Sequence, residues 1–177
     1  MLSDILVPLS DQYQIFNLFN YITFRTGGAV LTALLFSLIL GTPFITWLKS
    51  RQAEGQPIRD DGPDTHFAKK GTPTMGGLLI LSSLVISSLL WVPLRNPYLW
   101  PVLLIAASYG AIGAVDDWLK LRKRSSDGMS GRQKLTLQVG AAFIASLVLI
   151  QLSPDELRYG VALPFLKDTL LYLGLFY

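Results

Sequence analysis

Two adjacent carboxylates, Asp116 and Asp117, close an apolar run within the stretch Gly113-Ala-Val-Asp-Asp-Trp-Leu-Lys120. The run starts at Tyr98 and reads YLWPVLLIAASYGAIGAV, roughly the length needed to cross the hydrocarbon core of a bilayer. The acids are therefore expected at a membrane surface. Neighbouring helical positions differ by about 100° in direction, which splays the two carboxylates, one towards a cleft and the other towards its rim. A helix C-terminus disfavours anions by about 0.3–1 kcal/mol each, so an acidic pair there is a candidate for metal or phosphate chemistry. The plainer alternative is a pair of solvated acids ending a span, neutralised by Lys120, Arg122, Lys123 and Arg124.

A second group precedes another apolar run. Gly71-Thr-Pro-Thr-Met-Gly-Gly77 places hydroxyls, a proline and glycines at a helix start, where unpaired N–H groups and the positive dipole end favour an anion. Lys69 and Lys70 add mobile positive charge. An ordinary Thr-Pro helix start is the simpler alternative. Lys120 lies four residues after Asp116 and can pair with it along a helix, while Lys134 opens the next apolar segment; either also reads as a snorkelling cation. His66, the sole histidine, could serve as a base or metal ligand, and is most simply a polar loop residue. Carboxylates can hold Mg²⁺ while lysines and a helix N-terminus hold phosphates. On one face, these groups imply phosphoryl transfer at the membrane surface.

The elements that must position them are membrane helices. Hydrophobic residues make up 51% of the 177 and charged residues only 15%, a balance expected of a multi-spanning membrane protein, here an all-α helical bundle forming a single integral-membrane domain over 1–177. The absence of cysteine excludes disulfides and thiolate metal sites. The net charge of +3 comes from basic residues beside apolar spans, so membrane topology accounts for it and nucleic acid is rejected as a partner. The opening MLSDILVPLSDQ has no basic n-region or small-residue cleavage site, and no removable signal peptide is expected.

An aromatic segment over 13–24 is expected to lie in the interface. Spans are expected at about 26–48, 76–92, 98–118 and 135–152, with an incomplete fifth over 163–177 interrupted by Lys167 and Asp168. Only residues 94–97 separate the second and third, which predicts an antiparallel hairpin and brings the 71–77 motif and the acids to the same end. Ala106, Gly110 and Ala114 form a small-residue stripe read as helix packing. Basic residues concentrate in the loops 49–75 and 119–134, so the positive-inside rule makes both loops cytoplasmic and the N-terminus periplasmic.

The motifs Asp61-Gly-Pro-Asp-Thr-His-Phe-Ala-Lys69, Gly71 to Gly77, Gly113 to Lys120 and Gly128 to Lys134, in this order and spacing, closely resemble those of bacterial phospho-N-acetylmuramoyl-pentapeptide transferases. The resemblance extends to Pro164-Phe-Leu-Lys-Asp168 and Leu173-Gly-Leu-Phe-Tyr177. It implies transfer of phospho-N-acetylmuramoyl-pentapeptide from UDP-N-acetylmuramoyl-pentapeptide to undecaprenyl phosphate in the bacterial inner membrane, with the active face cytoplasmic. Lipid I and UMP would be the products and Mg²⁺ the cofactor. Carried over by position, Asp116 and Asp117 are the catalytic pair, Asp116 acting on the lipid phosphate and Asp117 supporting the metal-diphosphate end, with a further metal ligand expected outside this chain. Lys69, Thr72, Thr74 and Lys134 would line the nucleotide-sugar side, Lys120 would face the phosphates, and His66 is a further substrate-binding candidate. The resemblance is compatible with a homodimer among membrane lipids.

That family's chains are about twice as long, and their second half supplies another aspartate, an Asn/Asp-rich nucleotide loop and a histidine-rich loop. Residues 1–177 alone are accordingly expected to be inactive. A sibling polyprenyl-phosphate sugar-1-phosphate transferase, a transporter and a non-catalytic assembly fragment are the competing readings.

Overall fold

The computed structural model describes residues 1–52, 73–125, 127–155, 158, 160–162 and 170–172. Helix α1 (Leu2–Leu6) and two 3₁₀ segments, Val7–Asp11 and Gln14–Asn20, lead into the long α2 (Ile22–Arg51); α3 (Gly77–Trp91), α4 (Leu99–Lys123) and α5 (Gly131–Leu152) follow. The strands β1 (Gly160–Ala162) and β2 (Leu170–Tyr172) pair antiparallel, Gly160 opposite Tyr172.

Three helices, α2, α4 and α5, are long and apolar enough to cross a membrane. Their outer faces are what lipid requires and water penalises. Leu31, Leu34, Leu38 and Ile39 on α2, and Leu135, Val139, Phe143 and Ile144 on α5, are all exposed, whereas the buried set includes Ser83, Ser87 and Asp116. Both serines return their hydroxyls to the carbonyls three residues back, Ser83 to Ile80 at 2.8 Å and Ser87 to Leu84 at 3.1 Å, so small polar residues fill the close-packed α3 face without an unpaired donor.

The helices alternate in direction. At one end, Asp4 Oδ2 accepts the Leu94 N–H at 3.1 Å and the Tyr98 hydroxyl donates to the Leu152 carbonyl at 3.0 Å. At the other, the end of α2, the start of α3, the end of α4 and the start of α5 converge on the acidic pair, which is the hairpin consequence expected from the sequence. Close approach of α2, α3 and α4 depends on two glycines. A side chain at Gly28 would overlap the Trp91 indole, and one at Gly110 would overlap Leu81; the second agrees with the packing role read from the small-residue stripe. Trp91 is also stacked on Phe19 at 5.7 Å and donates to Thr32 Oγ1 at 2.9 Å, tying the aromatic N-terminal segment to the bundle.

Boundaries differ from expectation where the local chemistry differs from the apolar pattern. The 13–24 segment is split: it is 3₁₀ from Gln14 to Asn20, and residues 22–24 already belong to α2. α3 has 15 residues, a rise of roughly 22 Å against a hydrocarbon core of about 30 Å; Pro93 stops it because the residue before a proline, here the extended Val92, disfavours helix. α4 does not end at the acids. It continues to Lys123, with Lys120, Arg122 and Lys123 in its last turn, where cations suit the negative dipole end. The acids are therefore inside the helix, away from the repulsion that a C-terminus exerts on anions in its last turn. In the expected fifth span, residues 163–169 and 173–177 lie outside the described residues, while Leu170–Tyr172 is a strand. The ladder between that strand and β1, with Leu170 opposite Ala162, pairs main-chain groups where the apolar pattern suggested a helix.

Candidate active site

Asp116 and Asp117 follow each other on α4 and point to different neighbours. Asp116 is buried, with 5% of its surface exposed. Its Oδ2 receives the Lys120 ammonium at 2.9 Å, one turn along α4, and the Lys134 ammonium at 2.8 Å from the first turn of α5; its Oδ1 accepts the Met129 N–H at 2.8 Å. Lysine ammonium groups only donate, so three donors converge on one carboxylate. A buried charge of this kind is tolerated only when so paired.

Local sequence explains how Lys134 gets there. Ser130 caps α5, its hydroxyl accepting the Gln133 N–H at 3.3 Å while Gln133 Oε1 accepts the Ser130 N–H at 3.1 Å. This reciprocal capping box fixes the first turn, and Lys134 follows directly. Gly128 permits the loop to pass against the acid, because a Cβ there would overlap Asp116 Oδ1.

Asp117 faces the start of α3. Its Oδ2 accepts the Thr74 hydroxyl at 2.6 Å and the Met75 N–H at 3.1 Å. Met75 has a positive φ of 69°, an uncommon conformation for a side-chain-bearing residue, and it turns the main-chain donor at 75 towards the carboxylate. Lys120 lies 3.7 Å from Asp117 Oδ1 and thus links the two acids. The expected splay of the pair is present: the side chain of Asp116 is 7% exposed and that of Asp117 is 25%.

Beside this cluster is a cavity of about 470 Å³, lined by Asp116, Lys120, Gly128, Ser130 and Lys134 among others. The structure thus brings together Asp116, Asp117, Thr74, Lys120 and Lys134. Lys69, Thr72 and His66 lie outside the described residues. Sequence reasoning missed Gln52, whose side chain binds the Thr74 main chain, as well as Gly128 and the Ser130/Gln133 cap. The Ser-x-x-Gln spacing of the cap is a readable signal; Gln52 carries none.

For a metal, no group of three or more His, Cys, Asp or Glu side chains is found among the described residues. Mg²⁺ needs less from a protein, since one or two carboxylates suffice when phosphate oxygens and waters complete the octahedron. Asp117 Oδ1 has the longest contact of the four oxygens of the pair, the Lys120 ammonium at 3.7 Å, whereas the other three accept hydrogen bonds of 2.6–2.8 Å at their shortest. The donor set fits a Mg²⁺ that arrives with a polyphosphate.

Three helices long and apolar enough to cross a membrane, with a buried acid-lysine cluster at one end, define an all-α membrane protein. Comparison with known proteins carries this further. Residues 69–81 match the phospho-N-acetylmuramoyl-pentapeptide-transferase signature 1. The chain is 54% identical over 175 residues to the phospho-N-acetylmuramoyl-pentapeptide-transferase of Granulibacter bethesdensis, covering 98% of this chain and 48% of that protein. It is 51% identical over 172 residues to that of Ruegeria pomeroyi, with 97% and 48% covered. The resemblance read from the motifs is borne out along nearly the whole chain, which spans about half the length of the curated relatives it matches.

Proposed function

We propose that the protein to which these residues belong transfers phospho-N-acetylmuramoyl-pentapeptide from its UDP carrier to undecaprenyl phosphate, giving lipid I and UMP for peptidoglycan synthesis. The observation that carries this reading is the convergence of Thr74 and Met75 from the first motif with residues of the 113–120 and 128–134 motifs on one acid-lysine cluster, in a chain similar to such transferases. The site would lie at the cytoplasmic face of the bacterial inner membrane, where the basic loops belong by the positive-inside rule. In this reading α3 crosses with the other helices despite its length, and the N-terminus is periplasmic.

The cluster suits an exchange of anions. Lys120 and Lys134 are held by Asp116, and Lys120 also lies beside Asp117, so the two ammonium charges are balanced by the acidic pair. An arriving diphosphate or lipid phosphate competes for the same ammonium groups. As the lysines turn to it, Asp116 is released beside the incoming phosphate, in place to orient it or accept its proton. Asp117, anchored by Thr74 and Met75 through Oδ2, faces the metal-diphosphate end with Oδ1 once Lys120, 3.7 Å away, turns to the phosphate. Mg²⁺, when bound there, supplies neutralisation of the charge that develops on the leaving phosphate. Lys69, Thr72 and His66 are proposed on the nucleotide-sugar side by family position alone.

The test is a transfer assay on the whole-length protein in lipid nanodiscs, with UDP-N-acetylmuramoyl-pentapeptide and undecaprenyl phosphate. UMP release that requires both substrates is expected. A protein that binds neither substrate and releases no UMP would contradict the proposal.

A further inference from the structure

The turn that presents Thr74 and Met75 to Asp117 is not held by the acid alone. Gln52, the residue that closes α2, reaches the main chain of Thr74 with both ends of its amide: Oε1 accepts the Thr74 N–H at 2.9 Å and Nε2 donates to the Thr74 carbonyl at 3.3 Å. One side chain thus engages both main-chain polar groups of one residue, as a neighbouring strand would. Gln52 is itself fixed, since its N–H donates to the Leu48 carbonyl at 2.9 Å and Leu48 is buried. Thr74 is buried as well, so its main-chain donor and acceptor need protein partners. The next residue, Met75, has the left-handed φ of 69°, a conformation that persists only where the surroundings enforce it.

We infer that Gln52 is a positioning residue for Asp117: by clamping Thr74 it fixes the hydroxyl and the Met75 N–H that orient the Asp117 carboxylate, and so couples the end of α2 to the site. The inference rests on the proposal that Asp117 serves the transfer reaction. It assigns a role to a residue that lies outside the 71–77, 113–120 and 128–134 motifs.

The experiment compares Gln52→Leu, Thr74→Val, the double variant and Asp117→Asn in the whole-length protein, with turnover normalised to folded protein by size-exclusion chromatography and thermal midpoint. If Gln52 acts through Thr74, Gln52→Leu lowers turnover about tenfold alone and less than about threefold in the Thr74→Val background, because the same orientation is already partly lost. A merely structural role would give a loss that multiplies with that of Thr74→Val, and this result would overturn the inference, as would unchanged turnover in Gln52→Leu. Should Gln52→Leu fail to fold, Gln52→Glu serves instead. It keeps an acceptor for the Thr74 N–H but sets an anion against the Thr74 carbonyl, and the same coupling to Thr74→Val is expected. Asp117→Asn separates the two levels: full turnover in that variant overturns the role of Asp117, whereas its loss together with an inert Gln52→Leu overturns only the role of Gln52.

Discussion

The Thr74 hydroxyl donates to Asp117 Oδ2 at 2.6 Å across 43 residues of sequence. This one bond joins the turn before α3 to the acidic pair on α4, and it makes two separate sequence motifs parts of one site. Asp116, one residue earlier, is turned instead to Lys134 on α5 at 2.8 Å. The acidic pair is therefore the place where three helices are tied together.

Thr74→Val removes the hydroxyl and keeps the shape. A hydrogen bond to a charged group contributes about 1.5–3 kcal/mol, so turnover by the whole-length protein is expected to fall roughly tenfold or more if Asp117 must be oriented, while Thr74→Ser retains most of it. UMP release measured for both variants at equal folded protein checks this.

Gly128 has to be glycine for the sake of Asp116. A methyl group there overlaps Asp116 Oδ1, whereas one at Gly131 meets nothing within 4 Å. Gly128→Ala is expected to displace the Met129 contact and reduce turnover by about tenfold or more, in line with the cost of misplacing a catalytic group. Gly131→Ala should remain near wild type. Equal behaviour of the two variants would show that the loop does not need to approach the acid.

The orientation across the membrane is open to direct labelling because residues 1–177 contain no cysteine, so that a single introduced thiol reports on them once any cysteine elsewhere in the whole-length protein is replaced. Arg95, in the connection that precedes α4, and Lys123, at the far end of α4, are both exposed. Single Arg95→Cys and Lys123→Cys variants in intact cells are expected to differ: a membrane-impermeant maleimide should label position 95 from outside and leave position 123 unlabelled until the membrane is opened. The reverse pattern would place the acid-lysine cluster on the outer face.

Much of this arrangement is legible in the sequence because membrane helices announce themselves by length and apolarity. The short 94–97 connection dictates a hairpin, and the hairpin brings Thr74 to the same end as Asp117. The end of α4 is not legible, because an apolar-to-polar boundary marks where lipid stops and not where the helix stops. Lys120, Arg122 and Lys123 extend α4 past the acids by favouring its negative end. Gln52 is invisible for a different reason. Its partner is the main chain of a residue 22 positions away, and such a contact leaves no pattern in side-chain types. Gly128 stands in the sequence as the first residue of the 128–134 motif, but its reason for being glycine is not legible until the approach to Asp116 is seen.

The measurement that bears most directly on the account is the turnover of Asp116→Asn in the whole-length protein. The amide preserves size and most of the packing but removes the charge that Lys120 and Lys134 share. If Asp116 holds those lysines for the phosphates and then acts on the lipid phosphate, the rate of UMP release should drop by about a hundredfold or more, with the folded yield maintained, since both positioning and proton handling are lost. Near-normal turnover by folded Asp116→Asn protein would contradict the account and leave the cluster with a structural role alone.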